Sequence, residues 1–211
     1  MRRLPVYFLL DTSGSMYGEP IHALNNALSG MINTLRQDPQ ALDSLWISII
    51  TFDRDVNEVC PLTELAMFQL PEITCPQSGP THTGKALELL YSKVQSDIKK
   101  STENQKGDWK PLLFLFTDGK PSDIQLYNEI APKVRNLNFG AIVACAAGNL
   151  ADDTKLKVLT DDVVQLDNAD SATLKQFFKW VSETIEQGNK SQGTGESVAL
   201  PPPPSEITLV I

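Results

Sequence analysis

Apolar residues fall along this chain in two alternating patterns. LPVYFLL (4–10), LWISIITF (45–52), PLLFLF at the start of 111–119 and FGAIVACAAG (139–148) are nearly continuous apolar runs of strand length, as expected of strands covered on both faces. Between them, Ile21, Leu24, Leu28, Met31, Ile32 and Leu35 recur at helical spacing from about Pro20 onward. The same spacing holds Ala86, Leu87, Leu90, Val94 and Ile98 after Gly84, and then Ile124, Tyr127, Ile130, Ala131 and Val134. VNEVCPLTEL (56–65) reads as an extended segment joined to the second run by the charged turn Asp53, Arg54, Asp55, with Pro61 marking an end or an edge. A short helix near 152–159, the small strand VVQL (163–166) and an amphipathic helix from Asp170 to about Glu186 complete the order.

Strands alternating with helices in this way predict an α/β fold of the doubly wound kind: a mostly parallel central sheet with helices on both faces. One antiparallel edge strand is expected at 56–65, because a parallel crossover needs about a dozen residues and the turn before it has far fewer. Residues 1–187 form one domain on this reading. The remainder, 188–211, differs in kind: GNKSQGTGES (188–197) is a flexible polar linker, Pro201 to Pro204 a stiff polyproline rod, and SEITLVI (205–211) an apolar, β-prone end. Such a tail either folds back onto its own domain or adds a strand to another protein.

Composition narrows the function. The 211 residues carry 18 Lys and Arg against 26 Asp and Glu, a net of -8, and the acidity is concentrated late. No long basic stripe remains for a phosphate backbone, so a nucleic-acid partner is not expected. Cys60, Cys75 and Cys145 are odd in number and lack metal-type spacing, which fits free thiols in a reducing compartment. Arg2 and Arg3 before the first apolar run imitate a signal peptide, but the run is short, contains Pro5 and ends in Asp11. Without a run of roughly 18 apolar residues no membrane span is expected, and the reading is a cytoplasmic protein, monomeric in isolation.

In open α/β sheets, ligands gather outside the carboxyl ends of the strands. After the first strand stand Asp11, Ser13 and Ser15, spaced two apart; after the central strand stands Asp118, followed by Gly119; Thr81 and Thr83 precede the second long helix. Two carboxylates and several hydroxyls, read as having no histidine or thiol nearby, make a hard-oxygen set suited to Mg²⁺ or Mn²⁺ and not to zinc or copper. Ser13, Ser15 and Thr81 are the expected direct ligands, with Asp11 and Asp118 ligating or holding bound water. Two aspartates only just neutralise a divalent ion, so an incoming carboxylate would be attracted.

DTSGSM (11–16), GPTHTG (79–84) and FLFTDG (114–119) together resemble, in the usual order, the metal-ion-dependent adhesion site of von Willebrand factor type A domains. On that resemblance Asp11, Ser13 and Ser15 match the D-x-S-x-S motif, Thr81 its threonine and Asp118 its second aspartate, and the similarity runs over about residues 4–186. The resemblance implies a Rossmann-like fold and a protein-interaction role, with a partner's Asp or Glu completing the metal shell. MRRLPVYFLLDTSGSMYGEPI, RQDP, PLTEL, KGDWKP, TDGKPSD and the ending PPPP are similar to the TerY group of bacterial tellurium-resistance proteins. That narrower likeness implies a scaffold in a stress-response complex, beside kinase-like or phosphatase-like proteins.

Other residues invite attention and are explained more simply. His22 and His82 are isolated imidazoles, Cys145 a small hydrophobe in a buried strand, Asp53 and Asp55 turn residues that at most tune the site, and 97–110 a solvated connection. Lys120 after Gly119 suggests a phosphate loop, but the Walker spacing is absent. A Mg²⁺-dependent phosphoryl-transfer enzyme using Asp11 and Asp118 is the alternative function; it lacks a further nucleophile or clamping cation, and the chain is expected not to be an enzyme.

Overall fold

A computed structural model describes residues 2–148, 153–190, 198–205 and 207–210. Its first strand, β1 (Leu4–Asp11), is buried at all eight positions, because neighbours cover both of its edges and helices both of its faces. It pairs in parallel with β2 (Leu45–Phe52) on one side and with β4 (Leu112–Thr117) on the other. The sheet continues through β5 (Ala141–Ala147) and β6 (Val163–Leu166), both parallel. β3 (Val56–Glu64) lies antiparallel to β2 at one edge, as expected. Register shifts interrupt that pairing, and Pro61 sits where β3 has two residues, Pro61 and Leu62, opposite Ser48 alone. A proline fits there because a bulged edge does not need its missing N–H.

The pleat of β1 sorts the core into two. Leu4, Val6, Phe8 and Leu10 face α1 (Glu19–Leu35) and α6 (Ser171–Lys190), with Phe8 stacked on Phe114 at 5.4 Å and Phe116 meeting Phe177 and Phe178. Tyr7 and Leu9 face α3 (Thr83–Asp97), α4 (Ile124–Arg135) and Leu156 of the short α5 (Asp153–Leu156). Alternation of side chains along a strand feeds both layers at once. The short α2 (Pro39–Ser44), capped by the Asp38 carboxylate on Gln40 N–H at 2.9 Å, was not foreseen.

The C-terminal region corrects the expected boundary at 187. α6 runs on to Lys190 with Gly188 and Asn189 buried, and the Asn189 side chain accepts a hydrogen bond from Ser44 Oγ at 2.9 Å. Of the expected linker, residues 191–197 lie outside the described ones. Beyond them Val198 N–H donates to the Gly140 carbonyl at 2.9 Å and the indole N–H of Trp180 to the Pro201 carbonyl at 2.9 Å. Ile207 joins the core, and Thr208–Val210 forms β7, antiparallel to β6. The sheet order is therefore β3-β2-β1-β4-β5-β6-β7, with an antiparallel strand at each edge instead of at one. The physical reason is that β6 would otherwise end the sheet with unpaired backbone groups and an uncovered core margin.

The connection 99–110 also differs from a solvated loop. Asp108 receives Arg3 through two guanidinium nitrogens, at 2.9 and 2.5 Å, and Lys99 N–H at 2.8 Å; Trp109 N–H donates to the Arg3 carbonyl. The loop is thereby tied to the start of β1.

Ile207→Ala removes a side chain that is 4% exposed and packed in the core, and is expected to cost about 2–4 kcal/mol in urea unfolding. Stopping the chain after Lys190 should lower the melting temperature in the same direction. An unchanged melting temperature in both variants would show that the C-terminal residues do not stabilise the domain.

Candidate metal centre

β1 is the point where strand order reverses, since β2 lies on one side and β4 on the other. The crevice beyond the carboxyl ends of β1 and β4 is the place such a sheet offers a ligand. The β1–β4 register ends at Leu10 opposite Phe116, which sets Asp11 level with Thr117 and puts Asp118 just beyond. Asp11 is wholly buried. One of its carboxylate oxygens accepts Ser13 N–H at 2.8 Å and the other the Thr117 hydroxyl at 2.5 Å.

From there a chain of contacts crosses the crevice. Ser13 Oγ lies 3.2 Å from Ser15 Oγ, and Ser15 Oγ donates to Asp118 at 2.8 Å. Residues 14–16 form a single 3-10 turn, with Met16 N–H on the Ser13 carbonyl, and this turn folds Ser15 back toward Ser13. Gly14 is required by its neighbour: a β-carbon there would lie 2.5 Å from Ser78 Cα.

Thr81 arrives from the opposite loop. Its N–H donates to Ser122 Oγ at 3.0 Å and its carbonyl accepts Ser122 N–H at 2.8 Å. Thr81 Oγ1 lies so near Gly119 that a β-carbon at 119 would be 3.1 Å from it. Just after it, the carboxylate of Asp123 caps α3 from outside by accepting Gly84 N–H and Lys85 N–H at 3.0 and 2.9 Å. A carboxylate at a helix N-terminus is stabilised by the unpaired N–H groups there, and here it also locks the Thr81 loop to the segment following Asp118.

All five expected residues thus stand around one crevice. Thr117, Ser122 and Asp123 support it and were not singled out beforehand; Thr117 stood in FLFTDG, but its hydrogen bond to Asp11 depends on strand register. Asp53 accepts the Thr12 hydroxyl at 3.2 Å and Asp55 N–H at 2.9 Å, so it braces the Asp11 loop. His82 contacts the Arg54 carbonyl through Nδ1 at 2.7 Å, and its N–H donates to the Asp53 carbonyl. It therefore shapes the loop.

Burial pushes the Asp11 carboxyl up to about 6, against hydrogen bonding from Thr117 and Ser13 that favours its charge and with a small addition from Asp118. Asp118 is raised too, chiefly by burial. Neither forms an ion pair among the described residues. A buried carboxylate with a second one close by and no cation is electrostatically incomplete. The donor set is two carboxylates and three hydroxyls, and among the described residues no group of three or more His, Cys, Asp or Glu is placed to hold a metal ion. A hard divalent cation fits this set; a thiolate- or imidazole-seeking one finds little.

The family model described as von Willebrand factor type A domain matches residues 6–184. Among solved structures, proximal thread matrix protein 1 from the mussel byssus is similar at 16% identity and TM-score 0.67, over 86% of this chain and 46% of that one. A structure of that mussel protein with a zinc-occupied MIDAS motif gives 16% and 0.61, over 86% and 46%. The von Willebrand factor type A structure from Catenulispora acidiphila gives 15% and 0.59, over 88% and 43%. The chain spans less than half the length of these proteins, and at such identities the likeness is one of fold. Among curated proteins no sequence match was found.

The Asp11 carboxyl is raised in the folded protein, so the metal-free fold holds more protons than the unfolded chain between about pH 4 and about 6. Stability from this group is therefore highest below that window and is lost as pH rises through it. Asp11→Asn should flatten that dependence and stabilise the metal-free protein at pH 7 by about 1–3 kcal/mol. Saturating Mg²⁺ should reverse the ranking, because only the charged form gains from the cation. Thermal melts at pH 5 and 7, with and without Mg²⁺, are the measurement; an unchanged ranking would mean Asp11 is not beside the cation.

Proposed function

The chain belongs to the von Willebrand factor type A domain family, and on that premise we propose that it is a metal-dependent docking module that binds a partner protein through an Asp or Glu of that partner. One observation carries the reading. Ser13, Ser15 and Asp118 form a hydrogen-bonded path from the buried Asp11 across the switch-point crevice, without a basic side chain among them. Ser13, Ser15 and Thr81 would hold Mg²⁺ or Mn²⁺ together with Asp11 and Asp118, and the bound ion would supply a positive point charge with coordination left for one outside oxygen. The chain's own residues do the rest. Thr117 and Ser13 N–H hold the Asp11 carboxylate in one orientation, the 3-10 turn presents two hydroxyls side by side, and Asp123 fixes the Thr81 loop.

Docking is favoured over phosphoryl transfer by the state of Asp11. A nucleophilic carboxylate needs an open face for in-line attack, and Asp11 is wholly buried with one hydrogen bond on each oxygen, which leaves lone pairs for a cation but no approach for a phosphorus. Lys120 is exposed and is a lone cation beside the crevice sequence, where a phosphate clamp would use several. We accordingly assign no catalysis. No described helix is long and apolar enough to cross a membrane. The TerY-like segments support a place in a tellurite-resistance or stress-response complex in the cytoplasm, with kinase-like or phosphatase-like proteins as partners.

Calorimetric titration with Mg²⁺ and Mn²⁺ should give a binding heat that Asp118→Ala abolishes while the domain stays folded. A pull-down from the native host should then recover partners with Mg²⁺ and lose them with chelator, with Asp118→Ala or with Thr81→Ala. Changing the contacting acid on a captured partner should cost at least about 2 kcal/mol. Equal heats from both proteins, or equal yields in every sample, would refute the reading.

A further inference from the structure

We infer that the chain has a second ligand site, for a small organic phosphate of about nucleotide size, at the end of the sheet opposite the metal crevice. A cavity of about 960 Å³ opens there, at the upper end of the range of about 300–1,000 Å³ usual for small-molecule sites. Its apolar lining includes Leu4 at the start of β1, Val94 near the end of α3, Ile98 just after it, and Trp109. Its walls carry Arg2, Lys99, Lys100 and Lys110. Asp108 is the one carboxylate among the described lining residues, and it is already bonded to Arg3 at 2.5 Å and to Lys99 N–H. In a protein of net charge -8, this is a local reversal of sign.

The walls are built, not incidental. The Arg2 guanidinium lies 3.5 Å above the Trp109 ring and donates to the Gly107 carbonyl at 2.6 Å and the Asp108 carbonyl at 3.1 Å. Gly107 N–H donates to Ser101 Oγ at 2.9 Å, and Asp108 N–H to the Lys99 carbonyl at 2.8 Å. A β-carbon at Gly107 would lie 2.5 Å from the Lys99 carbonyl oxygen, so only glycine lets the two sides of the loop close. These bonds hold the backbone that carries Lys99 and Lys100 at the rim, and neither lysine forms an ion pair among the described residues. Several cations lining one cavity with Leu4, Val94, Ile98 and Trp109 suit a molecule that is anionic at one end and flat and apolar at the other. A concave site of this size selects a compact ligand over a polymer backbone, and adjacent lysines with an arginine match the multiple charge of phosphate better than a single carboxylate.

The test uses the whole chain in chelator, which keeps divalent ions from the opposite crevice, with ADP, inorganic pyrophosphate and citrate as probes. Calorimetry should show ADP binding more tightly than pyrophosphate, which lacks the ring, and than citrate, which lacks phosphate. In two-dimensional NMR the indole N–H of Trp109 should shift on adding ADP, while that of the buried Trp180 should not. Lys99→Ala with Lys100→Ala, both exposed positions, should weaken ADP at least tenfold, as should about 0.5 M salt by screening. Asp118→Ala, at the far end of the sheet, should leave ADP binding as it was. No heat with ADP up to millimolar concentration, citrate binding as tightly as ADP, an unmoved Trp109 signal, or binding indifferent to the lysine pair would each overturn the assignment. None of these outcomes bears on the docking function, which is read in Mg²⁺ and through Asp118.

Discussion

The structure is organised around a carboxylate that has no business being charged where it is. Asp11 is fully buried at the end of the central strand, and burial of an ionised group without a partner costs several kcal/mol. The fold meets part of that cost with one backbone N–H and one hydroxyl. Both depend on larger features: Ser13 N–H on the turn that follows β1, and the Thr117 hydroxyl on the register of β1 against β4. Slipping that register by one residue would turn Thr117 to the other face and leave the carboxylate with a single donor. The remaining deficit is what a cation would remove, so the same group that strains the metal-free fold gives the crevice its affinity for positive charge.

That dependence explains why the surrounding loops are tied to one another more than to solvent. Gly14 presses on Ser78, Gly119 on Thr81, and Gly84 on Tyr127 N, where a β-carbon would lie 2.6 Å away. At the first two contacts a missing side chain lets loops approach, and at the third it lets the start of α3 approach α4. Asp53 and Asp123, acids that might have added to the repulsion, spend their oxygens on hydroxyl and backbone donors. Asp53 and Asp123 keep their charge but are oriented by these donors, which leaves Asp11 and Asp118 as the carboxylates joined through Ser13 and Ser15.

Much of this was legible in the sequence, for identifiable reasons. Strands buried on both faces are continuous apolar runs, so β1, β2, β4 and β5 stand out, and the turn residues after β1 and β4 mark the crevice. The oxygen-bearing side chains of the crevice stood out because they directly follow the apolar runs of β1 and β4 or precede α3. Thr117 did not, since its role depends on a hydrogen bond between strands 106 residues apart. The C-terminal tail was legible only as two alternatives, and the structure takes the one in which it folds back. Gly, Ser and Pro enrichment describes local stiffness and solvation, but whether Ile207 and 208–210 pack depends on the open edge of β6, which no local pattern records. The 99–110 loop was misread for that reason: its charges looked solvated until Asp108 met Arg3, and Trp109 met Arg2, from the other end of the domain.

The two ends of the sheet are opposed in chemistry as well as position. β1 runs from Leu4 in the lining of the cationic cavity to Asp11 in the acidic crevice, and eight residues of strand span roughly 25 Å. Exposed charges lose most of their mutual influence beyond a Debye length of about 8 Å at physiological ionic strength. A cation held by the acid cluster would therefore be little felt by the exposed lysines at the other end, and distance itself would keep an anion at those lysines from doing much to the charge balance of the buried Asp11. Any influence of one end on the other would have to pass through packing, along β1 or along α6, whose Gly188 lines the cavity and whose Phe177 and Phe178 pack on Phe116 beneath Asp118. The separation that keeps the two charge clusters from neutralising one another leaves only the rigid elements of the domain to connect them.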